Sequence, residues 1–124
     1  MFMFRKPVYH TLTINYAGNG INVPAYTDDV EEYDTYSITS PTVQYFTPDR
    51  ASVTGQMDVS NVTENVTYTR NNHTLTVNYV SNLGETLHAP ASLTKPAGLQ
   101  YEISAEPIEH FTADHNTISN LMPD

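Results

Sequence analysis

The chain of 124 residues contains no cysteine, no tryptophan and only five lysines and arginines. Without cysteine the protein has no disulfide, no thiolate zinc site and no thiol nucleophile. Set against 14 acidic residues, the few basic ones leave a formal net charge of −9, which repels nucleic-acid phosphates and anionic lipid headgroups. No apolar run approaches the ~20 residues of a membrane helix. We therefore expect no nucleic-acid partner and no insertion into a membrane.

What the chain does contain is an internal repeat. The run from His10 to Tyr16 returns almost unchanged from His73 to Tyr79, 63 residues later. Farther along, residues recur after 65 positions. The longer spacing indicates a two-residue insertion in the second copy, between the first recurring run and the later recurring residues. The recurring residues are Tyr36, Phe46, Asp49, Val53 and Met57, which return as Tyr101, Phe111, Asp114, Ile118 and Met122. A period of this length suits a small self-contained module, so the sequence predicts two tandem modules.

The runs between turns are rich in threonine, valine and tyrosine, which favours a mostly β protein. Residues 9–16 alternate between polar and apolar types, as a half-buried strand does. Further strands are predicted at 35–38, 51–56 and 62–70 in the first copy, and at 101–103 and 116–121 in the second. No window has a convincing helical stripe. Residues predicted to lie inside the modules are Leu12, Ile14, Tyr16, Val53, Leu75, Val77, Tyr79 and Ile118.

Two details of the strand prediction concern charges and prolines. A second extended segment is expected to start near Pro24 and to be interrupted by the acidic residues 28–32 before it resumes at residue 35. In the second copy, Pro90, Pro96 and Pro107 are expected in loops, because proline cannot donate a hydrogen bond to a strand ladder.

The motifs shared by the two copies resemble the mucin-binding-protein (MucBP) type repeats of Gram-positive surface adhesins. The resemblance is carried by Thr-Leu-Thr-(Ile/Val)-Asn-Tyr, a glycine turn, Tyr-(Ser/Glu)-Ile, Phe-Thr-(Pro/Ala)-Asp, Val-Thr-Gly-Gln-Met and a closing Val-Thr-Tyr, and it covers nearly the whole chain. It implies small β-grasp-like, ubiquitin-like modules in a rod-like arrangement, displayed extracellularly at the cell surface. Some repeats of this family bind mucin glycans or host proteins. The chain departs from the family in having no Leu-Pro-x-Thr-Gly anchoring signal.

The ends of the chain suggest how modules associate. We expect an N-terminal donor-type strand at 1–7, a first module at 8–71 and a second module at 72–124. The first module closes with the strand at 62–70, and the second is expected to lack this closing strand because its equivalent would lie past residue 124. In the N-terminal segment, Phe2 and Phe4 take the places of Val66 and Tyr68.

This segment would add as a strand to another subunit, which predicts head-to-tail self-assembly into a homo-oligomer or filament. The residues assigned to the contact are Phe2, Met3, Phe4, Arg5 and Lys6. The alternative is that the chain is a fragment whose ends have no function of their own.

Candidate sites for chemistry are weak. The residues Asp28, Asp29, Glu31, Glu32 and Asp34 form a possible Ca²⁺ site, but they lack the spacing of an EF-hand, and a solvated loop is the preferred interpretation. His110, Asp114 and His115 are interpreted as a surface turn rather than a metal site. No nucleophile motif is present, so we expect no catalytic residue, no cofactor and no enzyme activity. Exposed Tyr26, Tyr33 and Tyr45 are candidates for stacking on sugar rings, with ordinary packing as the alternative.

These observations favour a non-enzymatic structural or adhesive surface module that associates with itself. The second hypothesis is a decoration or fibre protein of a bacteriophage virion that uses the same repeats. The third is a plain glycan-binding module whose partner is a surface glycan or a host protein.

Overall fold

The computed structural model describes residues 1–124, which form ten β-strands and no helix. The mostly β prediction is therefore confirmed. The chain divides into two compact units, Met1–Thr69 and Arg70–Asp124. The strands are β1 (Tyr9–Ala17), β2 (Tyr26–Glu31), β3 (Thr35–Thr39), β4 (Phe46–Pro48), β5 (Ser52–Gln56), β6 (Val62–Arg70), β7 (Asn72–Val80), β8 (Thr86–Pro96), β9 (Gln100–Ser104) and β10 (Thr117–Leu121).

The first unit combines a four-stranded sheet with a two-stranded one. The larger sheet has the order β2-β1-β6-β4, in which β1 is antiparallel to β2 and parallel to β6. Strands β3 and β5 form the second, antiparallel sheet. Six buried side chains form the core between these elements: Leu12, Ile14, Val53, Met57, Val66 and Tyr68. The predicted burial of Leu12, Ile14 and Val53 is confirmed, whereas Tyr16 is only partly buried against this cluster.

The acidic run does not interrupt a strand, and that prediction was wrong. Asp28 and Asp29 lie within β2, opposite Leu12 and Thr11 of β1. The reason is that β2 is the edge of its sheet, so its carboxylates stay in water while Val30 packs against the core. Charges on an edge strand also discourage pairing with the edge of another chain.

The second unit repeats the backbone plan of the first. It contains an antiparallel β7–β8 pair and an antiparallel β9–β10 pair. We call residues counterparts when they are 63 apart up to Ser81, or 65 apart from β8 onward. Counterparts keep their pairing: Thr39 lies opposite Ser52 in the first unit, and Ser104 lies opposite Thr117 in the second.

Two of the three prolines expected in loops lie in a strand instead. Pro90 and Pro96 belong to β8, which has 11 residues where its counterpart β2 has 6. The register of β7 with β8 shifts between Val77 and Tyr79, and Pro90 sits at this bulge. A bulge leaves a residue outside the ladder, so the missing N–H of a proline costs no hydrogen bond there.

The burial predicted for the second unit was only partly correct. Leu75, Val77 and Tyr79 are half-buried, and Ile118 is 48% exposed although its counterpart Val53 is fully buried. In the first unit β6 brings Val66 and Tyr68 into the cluster that contains Val53. In the second unit β7 pairs with β8 alone, so no strand covers Ile118.

Candidate functional site

A concave surface lies in the second unit, along the edge of β7 that does not pair with β8. It is a groove of about 770 Å³, bordered by β7 and by the β9–β10 sheet with its connecting loop. Its apolar lining includes Val77, Tyr79, Ile103, Ile108, Phe111 and Ile118. Polar groups at its border include Glu106, Asp114 and His115.

The groove occupies the place that β6 fills in the first unit. There β6 runs parallel to β1, with Val66 opposite Tyr16 and Thr67 opposite Ala17. The counterparts of Tyr16 and Ala17 are Tyr79 and Val80, and both line the groove. The groove is therefore bordered by the backbone edge that takes up a parallel strand in the first unit.

An aspartate holds β6 by its main chain in the first unit. The Asp49 N–H donates to the Thr67 carbonyl at 2.8 Å, and the Asp49 carboxylate accepts from the Thr67 N–H at 3.0 Å. Asp114 is the counterpart of Asp49 and borders the groove. Its side chain is exposed and lies 3.3 Å from the His115 ring, which leaves carboxylate lone pairs accessible to an approaching N–H donor.

The loop that contains Asp114 has the same turn as its counterpart. Tyr45 and His110 both have positive φ angles, 74° and 71°. The N–H of the next residue donates to a carbonyl three residues back at 3.1 Å in each unit, from Phe46 to Val43 and from Phe111 to Ile108. The turn forms in the second unit without a strand beside it, so the groove has this border preformed.

The aromatic residue of β6 makes two further contacts in the first unit. The Tyr68 ring lies 6.2 Å from the Tyr16 ring, and its hydroxyl donates to the Pro41 carbonyl at 2.6 Å. Burial raises the pKa of the Tyr68 phenol, and the neighbouring Tyr16 adds to the effect. The counterparts of Tyr16 and Pro41 are Tyr79 and Glu106, which both line the groove.

The N-terminal segment assigned to self-assembly forms no strand in this structure. Phe2 and Phe4 are 90% and 91% exposed, and Met1 and Met3 are similarly exposed. Four consecutive apolar side chains in water are costly, because each would gain free energy from removal of its surface from solvent.

The five candidate Ca²⁺ ligands are not brought together as a group. Asp28 and Asp29 accept hydrogen bonds from the hydroxyls of Tyr26 and Thr11, and Glu32 lies 3.0 Å from the His10 ring. No three His, Asp or Glu side chains anywhere in the chain are placed to hold a metal ion together. His110, Asp114 and His115, which the sequence analysis interprets as a surface turn, do not form such a group either.

The three candidate sugar-stacking tyrosines lie on separate elements. Tyr26 begins β2, Tyr33 follows the other end of that strand, and Tyr45 precedes β4. Tyr33 has a φ of 71° and is about half exposed, while Tyr26 and Tyr45 are half-buried. The hydroxyl of Tyr33 bonds to Glu32, whose negative charge raises the pKa of the phenol.

Sequence reasoning missed the main-chain contact that Asp49 makes with Thr67. The sequence shows Asp49 and Asp114 as recurring residues, and it offers Asp114 only as a candidate metal ligand. The recurrence itself was the available signal, since an aspartate kept at one repeat position is typical of a main-chain contact. Recurrence names no partner for the aspartate, so its contact with Thr67 became visible only in the structure.

Comparison with known proteins finds one similarity, which lies in the second unit. Residues 74–122 match the MucBP domain family. This match confirms the resemblance predicted from the sequence, in the part of the chain that it covers. MucBP domains are binding and adhesion modules found in Gram-positive surface proteins. No curated protein and no solved structure matches the chain. The structure contains no helix long and apolar enough to cross a membrane.

Proposed function

We propose that this chain, similar over residues 74–122 to the MucBP domain, is a non-enzymatic adhesive and structural module displayed on an extracellular surface. The family match supports the adhesive role, and the shared backbone plan supports two modules of one kind. Hydrogen bonds join the same backbone positions in both units, for example from Ser40 to Ala51 and from Ala105 to Asn116. The virion hypothesis has no comparable observation in its favour.

The modules assemble head to tail by strand addition. The single observation that carries this proposal is the groove beside β7, which lies where β6 lies in the first unit. The N-terminal segment Met1–Lys6 of another copy enters this groove, with Phe2 and Phe4 directed into it. Burying each phenylalanine contributes about 1.5 to 3 kcal/mol from apolar area. Because the two surfaces in contact differ, the assembly propagates into a filament or closes into a ring.

Charge complementarity supports the same contact. The segment carries Arg5 and Lys6 and no acidic residue, whereas the second unit contains six acidic and two basic side chains. Opposite charges on the two surfaces accelerate their encounter and oppose wrong pairings. The contact should therefore weaken as the salt concentration rises.

Removing the donor segment tests the assembly. Deletion of residues 1–7, or the double substitution Phe2→Ser/Phe4→Ser, should convert oligomers into monomers in sedimentation velocity and electron microscopy. Val59→Ser is a matched control, because Val59 is an exposed apolar residue of the first unit outside the segment. Equal sedimentation of the full chain and both variants at concentrations near 100 μM would contradict the proposal.

Binding of mucin glycans is a second function that the family match favours. Exposed aromatic rings bind sugars by stacking, and Tyr33 offers the most exposed ring of the three candidates. A glycan array probed with the full chain and with Tyr33→Ala tests this function. Loss of a glycan signal in the variant supports it, and a chain that binds no glycan on the array argues against it.

A further inference from the structure

The first unit contains a complete example of the contact proposed for the second, and this example specifies what the groove accepts. From it we infer that the groove beside β7 is a strand-acceptor site for the Met1–Lys6 segment of a second copy. The segment runs parallel to β7 and is recognised by Tyr79, by the Glu106 carbonyl and by Asp114. This inference rests on the proposed assembly. It adds the direction and register of the added strand and the residues that recognise it.

Direction and register follow from the pairing of β1 with β6. Val66 lies opposite Tyr16 and Thr67 opposite Ala17, in parallel orientation. Placing Phe2 and Phe4 at the positions of Val66 and Tyr68 puts Phe2 opposite Tyr79 and Met3 opposite Val80. Both phenylalanines then point to the same side of the strand, into the groove, as Val66 and Tyr68 point into the core.

Asp114 recognises the main chain of the added strand. The Asp49 carboxylate and N–H bind the two polar main-chain groups of Thr67 in the first unit. Met3 takes the position of Thr67 in the added strand, so its N–H and carbonyl meet Asp114. This contact requires an extended main chain and no particular side chain, which explains how methionine can replace threonine there.

The aromatic position is recognised by Tyr79 and Glu106. Phe4 takes the place of Tyr68, whose ring lies beside Tyr16 and whose hydroxyl donates to the Pro41 carbonyl. Phe4 has the ring without the hydroxyl, so the Glu106 carbonyl receives no hydrogen bond from it. Phe4→Tyr supplies the missing donor and should tighten the assembly.

One residue of the second unit opposes the fit. In the first unit a Cβ atom on Gly18 would lie 2.8 Å from the Tyr68 carbonyl oxygen and 3.1 Å from its Cβ. The counterpart of Gly18 is Ser81, which lines the groove and does carry a Cβ atom. An added strand must therefore stand farther from Ser81 than β6 stands from Gly18. Ser81→Gly should allow the closer approach and strengthen binding.

The β1–β6 register has six pairs, from Leu12 with Val62 to Ala17 with Thr67. In the same register Met1 to Met3 pair with the last three residues of β7. A peptide with the whole sequence of β6 covers all six positions and should therefore bind the groove more tightly than a peptide of residues 1–6.

Peptide binding to the complete chain tests the inference. The acceptor is the full chain with Phe2→Ser/Phe4→Ser, which cannot donate its own segment. The probes are three fluorescent peptides: residues 62–70, residues 1–6, and residues 62–70 in scrambled order. We expect the first to bind most tightly and the scrambled peptide least. A spin label at either end of the peptide, read by NMR of the labelled chain, reports the direction relative to β7.

Three variants of the acceptor chain distinguish specific recognition of the peptide from nonspecific binding. Asp114→Ala should weaken binding of the 62–70 peptide by about 10-fold, as expected for loss of a hydrogen bond to a charged group. Ser81→Gly should strengthen it. Glu85→Ala is the control and should leave it unchanged, because Glu85 lies outside the groove lining. Circular dichroism of each variant verifies that the chain is folded.

The outcomes separate this inference from the proposed assembly. Equal binding of the ordered and scrambled peptides, an antiparallel orientation, or indifference to both Asp114→Ala and Ser81→Gly would each overturn the acceptor site. Tight and selective binding of the 62–70 peptide, combined with full-length chains that stay monomeric, would support the acceptor site and overturn self-assembly through Met1–Lys6.

Discussion

Tyr33 and Gly98 occupy equivalent backbone positions in the two units, although tyrosine has a large aromatic side chain and glycine has none. Their φ angles are 71° and 77°. The N–H of Tyr33 donates to the Met57 carbonyl at 3.1 Å, and the N–H of Gly98 donates to the Met122 carbonyl at 2.9 Å. The fold thus imposes a left-handed conformation on this position in both units. Glycine adopts it without strain, whereas tyrosine does not.

We predict opposite effects of exchanging residue types at this position. Gly98→Ala should lower the free energy of unfolding of the second unit by about 1 kcal/mol, because alanine is strained at positive φ. Tyr33→Gly should leave the first unit equally stable or more stable. Urea unfolding followed by hydrogen exchange of the β9 and β5 amides measures the two effects. Gly84→Ala is a control for strain at positive φ in an open turn, because its added Cβ meets no neighbour within 4 Å.

We predict that residue 55 must be glycine because the Tyr36 ring lies against it. Gly55 lies opposite Tyr36 in the β3–β5 pair, and a Cβ atom there would be 2.8 Å from the Tyr36 Cζ. Gly55→Ala should therefore displace the ring and destabilise the first unit by about 1 to 2 kcal/mol. In the background of Tyr36→Ala the same substitution should cost less, so a thermal double-mutant cycle measures the coupling. Additive effects of the two substitutions would show that the ring is not the cause.

The first unit is predicted to lose stability at alkaline pH. Burial raises the pKa of Tyr68 and of Tyr36 above the ordinary value of 10.0. The folded state thus favours the neutral phenols, so their contribution is fully present below pH 10 and is lost as the pH rises above it. Tyr68→Phe should make the pH dependence shallower. It should also lower stability at neutral pH by about 1 kcal/mol, because the hydrogen bond to Pro41 is lost. Urea midpoints between pH 7 and 11 test both effects, with Tyr9→Phe as an exposed control.

Removal of divalent cations is predicted to leave the protein unchanged. Asp29 of β2 and Glu32, which follows this strand, have hydrogen-bond partners within the first unit, Thr11 and His10. Thermal unfolding should therefore have the same midpoint in excess EDTA and in millimolar CaCl₂. An increase of several degrees on addition of Ca²⁺ would assign these carboxylates to a calcium site.

The local sequence pattern was sufficient to predict the strands and the repeat. Alternation of side chains predicted β1, and the recurrence of Met57 as Met122 predicted that two backbones share one plan. Both methionines are fully buried, and each donates its N–H to a counterpart carbonyl, Asp34 or Leu99. Such contacts lie within about 25 residues along the chain, so neighbouring sequence carries the information that forms them.

The sequence could not decide which apolar residues are covered or which aspartate holds a strand. Val53 and Ile118 are equivalent in pattern, yet one is buried and the other is half exposed. The difference comes from β6, a strand that is close in space to β1 but 50 residues away along the chain. Burial is a property of the whole arrangement, because a side chain loses its water only when distant segments close over it. The missing closing strand was predicted from the sequence, whereas the residues that border the groove beside β7, among them Tyr79 and Asp114, emerged only from the tertiary structure.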